Sequence, residues 1–144
     1  MKSKSMKIKK MKVSEDQESM ALVEWLKIMD LPHHHSANEQ PAQKMFGRRH
    51  DGKPLWSPNW STLRRLKNMG VARGFPDYLV WIPKERSRSS KALLLAIEMK
   101  SATGKASEDQ KRWLETIGWV NDCEGFVCKG ADEAIKLIRQ FINS

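Results

Sequence analysis

The alternation of apolar and polar positions divides the chain into recognisable elements. Ser14-Glu15-Asp16-Gln17 has the form of a capping box, with Ser14 as N-cap and Gln17 at the third helical position. It predicts a helix to about Met29, with Pro32 just beyond its end. Glu15, Glu18, Leu22, Trp25 and Met29 share one face of that helix by spacings of three and four. The apolar stripe thus runs on into carboxylates at the helix start, either surface residues at the edge of the fold or groups reaching over a site there.

Periodicity is lost from residue 32 to 60, which predicts a long loop of the kind that is functional or disordered. Ser61 can cap a short helix from Thr62 to Met69, ended by Gly70. The segment from Gly70 to Asp77 is rich in turn residues, and Tyr78 to Ile82 reads as a buried strand. Pro83 to Ser90 is a charged connection. Lys91 to Lys100 is the clearest strand, and its near-continuous apolar run predicts cover on both faces. Ser107 caps a further helix, with Glu108 and Asp109 favouring its dipole and Trp113, Leu114 and Ile117 inward, closing at Gly118. Glu124 to Cys128 predicts a short strand, Gly130 a turn, and Ala131 to Ile142 a closing amphipathic helix. This order predicts an α/β domain, a small mixed β-sheet flanked by α-helices.

Length and charge narrow the class. The 144 residues suit one domain with its own core. No apolar run approaches the roughly 18 residues of a membrane span, and the N-terminus lacks an apolar signal core, so a cytoplasmic protein with no membrane partner is expected. The formal net charge is +9, which points to a polyanionic partner, and no basic amphipathic helix with a Trp/Phe/Leu face favours a membrane over nucleic acid. Residues 1–12 hold six lysines and no acid. Residues 1–13 are therefore expected to be a basic flexible arm, ahead of a domain over 14–144. Cys123 and Cys128 are too few for a disulfide framework and read as buried or idle thiols. His33-His34-His35 are adjacent rather than spaced as zinc ligands, so they read as loop or strand-edge residues. Trp56 and Trp60 suit packing of the long loop onto the core better than base stacking.

The chemistry concentrates where charge enters an apolar strand. Leu94, Ala96, Glu98 and Lys100 share a strand face, so a carboxylate and an ammonium lie side by side at its end. A charge there is costly unless paired, solvated or metal-bound. Asp77 opens the preceding strand after Pro76, and hairpin pairing would set it beside Glu98 and Lys100. Converging carboxylates make a site for a hard cation such as Mg²⁺, and a lysine can orient the attacking water or stabilise charge on a phosphate. Arg64, Arg65, Lys67 and Arg73 precede the site and are candidates for phosphate contacts, Arg73 best placed beside the Pro76-Asp77 turn.

Gly74, Pro76 and Asp77, then a strand, then Ile97-Glu98-Met99-Lys100, then Ser107 and Gln110, resembles the VRR-NUC family of the PD-(D/E)xK nuclease superfamily. Ser14-Glu15 opening a helix to Trp25-Leu26 is similar to the family's first helix, His35 to Glu39 to its loop around an asparagine, here Asn38, and Val127 to Ala134 to its last strand and helix. The resemblance implies a restriction-endonuclease-like core with Asp77, Glu98 and the main-chain carbonyl of Met99 as metal ligands and Lys100 as catalytic lysine. Glu15, with Glu18 as rival, is implied at the active site and Gln110 near the site or the DNA backbone, and Asn38 joins Arg64, Arg65 and Arg73 as a candidate DNA contact. Ser19 stands where the family often has glutamine. The resemblance further implies a homodimer using Mg²⁺, or Mn²⁺ in its place, to cut branched DNA such as Holliday junctions in phage or replication–repair processing. A non-catalytic nucleic-acid-binding module on the same scaffold is the competing reading, and an interaction protein of replication a third.

Overall fold

The computed structural model describes residues 13–36, 43–52, 54–58 and 60–143. The basic segment 1–12 and Asn38 therefore lie outside the described residues. Helix α1 spans Glu15–Ile28, and Ser14 and Gln17 form both hydrogen bonds of the capping box. Strand β1 is His33–His35, β2 Gln43–Arg48, β3 Pro54–Pro58, α2 Trp60–Asn68, β4 Tyr78–Ile82, β5 Leu93–Lys100, α3 Glu108–Gly118, β6 Cys123–Lys129 and α4 Gly130–Arg139.

The main sheet has the order β1-β4-β5-β6. β1 and β5 both run antiparallel to β4, and β6 runs parallel to β5, so the sheet is mixed as expected. The parallel step needs a crossover, which α3 provides. Leu95, Ala96, Ile97 and Glu98 in the middle of β5 are all buried, in keeping with a strand covered on both faces. On one face Tyr78, Val80, Ile82, Leu95 and Ile97 join Leu22 and Leu26 of α1 and Ala134 and Ile138 of α4 in a single apolar cluster. The opposite face receives α3. Gly125 of β6 is required there, because a Cβ at that position would lie 2.6 Å from the Leu114 carbonyl oxygen. Helices thus flank the sheet on both sides.

Three elements depart from the sequence reading. The stretch from 32 to 60 is not one long loop: His33–His35 pair with β4 as an edge strand, and β2 and β3 form a separate antiparallel hairpin. Prolines at 54 and 58 and few β-branched residues hid these strands, although Asp51-Gly52 is a turn signal, and Gly52 adopts φ +79° there. Helix α2 begins at Trp60, so Ser61 lies within its first turn and not ahead of it. Trp60 itself is 71% exposed rather than packed on the core. Helix α4 ends at Arg139, short of Ile142, which instead bridges to Ser87. That bridge anchors the β4–β5 connection: Arg88 donates from Nε to the Ile142 carbonyl (2.7 Å), and Arg86 donates to the Met29 carbonyl (2.7 Å).

Glu18 links the ends of the domain. Its carboxylate accepts the backbone N–H of Ala131 at 2.6 Å, at the start of α4, where the N-cap residue Lys129 offers no side-chain cap. Gly130, at φ +82°, leaves room for it. An acceptor at a helix N-terminus satisfies an orphan donor and complements the dipole. Glu18→Ala is expected to cost about 0.5–2 kcal/mol in urea unfolding, the range for loss of a helix cap, and Glu15→Ala, at an exposed position, is expected to leave stability unchanged. Burial also pushes the Cys128 thiol up to about 12, so only the half-buried Cys123 should be alkylated in the native protein at pH 8, and both thiols after unfolding.

Candidate active site

The β4–β5 register brings the expected acids together. Tyr78 pairs with Ile97, so one step further Asp77 stands opposite Glu98. Directly opposed residues project from the same face with Cβ atoms about 4.5–5.5 Å apart. Asp77 is fixed by the neighbouring strand: its Oδ2 accepts the Met99 N–H at 2.8 Å. Within a strand, the N–H and C=O of one residue point towards the same edge, so the Met99 carbonyl is directed to the Asp77 side as well.

Glu98 is fully buried. Its Oε1 accepts from Lys100 Nζ at 2.6 Å and from the side-chain amide of Gln110. Its Oε2 is buried and has no hydrogen-bond partner among the described residues. Burial pushes the Glu98 pKa up, the Lys100 hydrogen bond opposes this, and the neighbouring Asp77 charge raises it further. Lys100 reaches the pair from the same strand face, with its side chain 20% exposed and open to a ligand.

Gln110 arrives through the helix cap. Ser107 accepts the Gln110 N–H, and Gln110 Oε1 accepts the Ser107 N–H at 2.8 Å, which leaves the amide Nε2 to donate to Glu98. The loop before Asp77 is packed on the same helical turn. Gly74, at φ +78°, has no room for a Cβ, which would meet Asp109 Cβ at 2.8 Å. The Trp113 indole donates to the Arg73 carbonyl (3.1 Å) and packs edge-on against Phe75. Pro76, Asp77 and Gln110 are therefore held in mutual register by glycine-enabled close approach.

The remaining candidates are placed less directly. Glu15 is exposed, and no contact among the described residues joins it to Asp77, Glu98 or Lys100. It lies one turn ahead of Ser19, which neighbours the buried Tyr78 hydroxyl, so the start of α1 lies at the sheet end carrying Asp77. Glu18 is engaged as the α4 cap. Arg64 and Arg65 are exposed on α2, apart from the trio in the described contacts. Arg73 lines a pocket of about 350 Å³ with Asp109, Arg112, Trp113 and Thr116. Arg112 went unnoticed in the sequence, where its position on the outer side of α3 looks like any solvated charge. Ser36 was also missed: its N–H donates to the Asp77 carbonyl at 2.8 Å, extending β1 alongside Asp77. The histidines form no metal cluster, and among the described residues no group of three or more His, Cys, Asp or Glu side chains converges. His35 instead stacks on Tyr78, with ring centroids 4.5 Å apart.

A mixed four-stranded sheet with helices on both faces, and an aspartate opposite a Glu-x-Lys pair, is an α/β core of the restriction-endonuclease-like type. The chain belongs to the VRR-NUC domain family, whose profile matches residues 38–132. A solved structure described as a VRR_NUC domain protein is similar to it at 25% identity, with a TM-score of 0.53, over 90% of this chain and 88% of that one. No match was found among curated proteins. This membership defines a nuclease-type domain. No helix among the described residues is long and apolar enough to cross a membrane.

A raised carboxylate pKa has a definite signature in stability. The folded protein binds the Glu98 proton more tightly than the unfolded chain, so this contribution is fully present below the unfolded pKa and is lost as pH rises through the folded one. Glu98→Gln is uncharged throughout. In metal-free denaturant titrations its stability relative to wild type is therefore expected to increase as pH rises from 4 to 8. A pH-independent difference would contradict the assignment of a raised pKa.

Proposed function

We propose that the protein is a Mg²⁺-dependent DNA endonuclease that hydrolyses phosphodiester bonds, with Mn²⁺ able to replace Mg²⁺. The observation that carries this reading is the Oε2 of a buried glutamate, which has no hydrogen-bond partner among the described residues, beside a second carboxylate and a lysine. A buried anionic oxygen without a partner is unfavourable, and a cation removes the penalty. The donors are all oxygens: the carboxylates of Asp77 and Glu98 and the Met99 carbonyl. So few protein ligands suit a hard ion that keeps several waters, which is the habit of Mg²⁺.

Bound there, such an ion supplies Lewis acidity and a nucleophilic water at neutral pH. The protein's own groups do the rest. Asp77 and Glu98 fix the position of the charge, and Gln110 and Lys100 hold Glu98 Oε1 so that Oε2 keeps its direction. The partly exposed Lys100 ammonium orients the attacking water or stabilises negative charge on the phosphate oxygens. Arg73, in the loop before Asp77, and Arg112, on α3 after Gln110, line one pocket and provide phosphate contacts for the flanking strand. Glu15, at the opposite side of the sheet end, is the helix α1 acid that serves the site once substrate is present. Asn38, Arg64 and Arg65 contribute to DNA binding. Selectivity for branched DNA such as Holliday junctions, a homodimeric state and a role in phage or replication–repair DNA processing rest on family membership.

Asp77→Ala and Lys100→Ala are each expected to lower Mg²⁺-dependent cleavage by about 10²–10³-fold or more. The assay is a panel of single strands, flaps, forks and four-way junctions. Cleavage by both variants at the wild-type rate would refute the assignment, and wild-type binding that ignores Mg²⁺ without any cleavage would favour a binding module. Arg73→Ala and Arg112→Ala should weaken binding to all sequences alike and reduce the slope of log K against log salt by about one each.

A further inference from the structure

Among the described residues the buried side-chain oxygens or nitrogens without a hydrogen-bond partner are Ser36 Oγ, Tyr78 OH and Glu98 Oε2. Buried polar atoms are normally satisfied, so each of these calls for an explanation. The Tyr78 hydroxyl lies on the α1 side of the sheet, near Ser19. The other two belong to one row on the opposite side. His35 pairs with Tyr78, and the Ser36 N–H bonds the Asp77 carbonyl, so Ser36 stands opposite Asp77. Asp77 in turn stands opposite Glu98 by the β4–β5 register. Laterally paired residues project from the same sheet face. Ser36, Asp77 and Glu98 thus form a line across β1, β4 and β5, with Asp77 in the middle and an unpartnered oxygen on each flank.

From this row we infer that Ser36 is a further residue of the cation site, a positioning residue whose hydroxyl hydrogen-bonds the hydration shell of a divalent ion held by Asp77 and Glu98. The inference rests on the metal-binding reading of that pair and adds a member from a different strand. A hydroxyl suits the role because it both donates and accepts, and so can bind a polarised water while leaving the carboxylates to neutralise the charge. An ion with few protein ligands presents several waters to its surroundings, and fixed partners for those waters set its affinity. The short edge strand β1 then gains a purpose. Its three residues contribute little apolar burial, yet their pairing with β4 delivers Ser36 to Asp77.

The test is calorimetric titration of Mg²⁺ and Mn²⁺ into the full-length, metal-free chain, without DNA, for wild type, Ser36→Ala, Ser36→Thr and Asp77→Ala. Ser36→Ala is expected to weaken metal affinity by about 10-fold, the lower end for loss of an outer-shell partner. Ser36→Thr, which keeps the hydroxyl, should restore most of it. The metal-free melting temperature of Ser36→Ala should match wild type. Affinity of Ser36→Ala equal to wild type, with Asp77→Ala impaired, would overturn the role of Ser36 and leave the metal site standing. Equal loss in the Ala and Thr variants would show a packing effect and overturn it too. Affinity of Asp77→Ala equal to wild type would instead refute the metal site itself.

Discussion

The Glu98 carboxylate is buried at the end of β5, where an uncompensated charge would be driven to protonate or to reach water. Two neighbours work against that outcome: Lys100 and Gln110 both bond one of its oxygens. They come from β5 itself and from the first turn of α3. Between the pair, the Met99 N–H is taken by Asp77 at the start of β4. Together these polar contacts fix the relative placement of β4, β5 and α3 more tightly than apolar packing alone would require. One carboxylate oxygen, Oε2, is left without a partner among the described residues.

The scaffold keeps this end of the sheet rigid by contacts remote from the chemistry. Gly74 and Gly125 allow backbone to lie directly against α3, one before the aspartate strand and the other on the strand beside the glutamate. On the other face, α1 and α4 bury Leu22, Leu26, Ala134 and Ile138 against the same strands. The Glu18 cap fastens the first helix to the last.

The sequence made the central strands legible because their signals are local. An unbroken apolar run ending in Glu-x-Lys, and a Pro-Asp turn before a second run, predicted both the hairpin and the meeting of Asp77, Glu98 and Lys100. Ser14 announced its helix through a capping box and Ser107 its own as an N-cap, and the structure forms a capping box at both. The β2–β3 hairpin escaped because its strands are short, proline-bounded and poor in β-branched residues, so alternation could not be read. The separation of Glu15 from Glu18 was beyond sequence reading for a different reason: they share a helix face, and only the approach of α4, more than a hundred residues later, decides which carboxylate is taken. Ser36 and Arg112 likewise acquire meaning from strand and helix neighbours, not from their own flanking residues.

The side chain of Gln110 serves two masters, closing the α3 capping box with its oxygen and steadying Glu98 with its nitrogen. For a helix start, glutamate and glutamine are interchangeable in that role. Here they are not, since a carboxylate would bring a third negative charge to Asp77 and Glu98 with no hydrogen to share. An isosteric change invisible to helix stability would thus turn a tether into a repulsion. A protein designer transplanting this motif should keep the amide, even though every helix-forming rule would accept the acid.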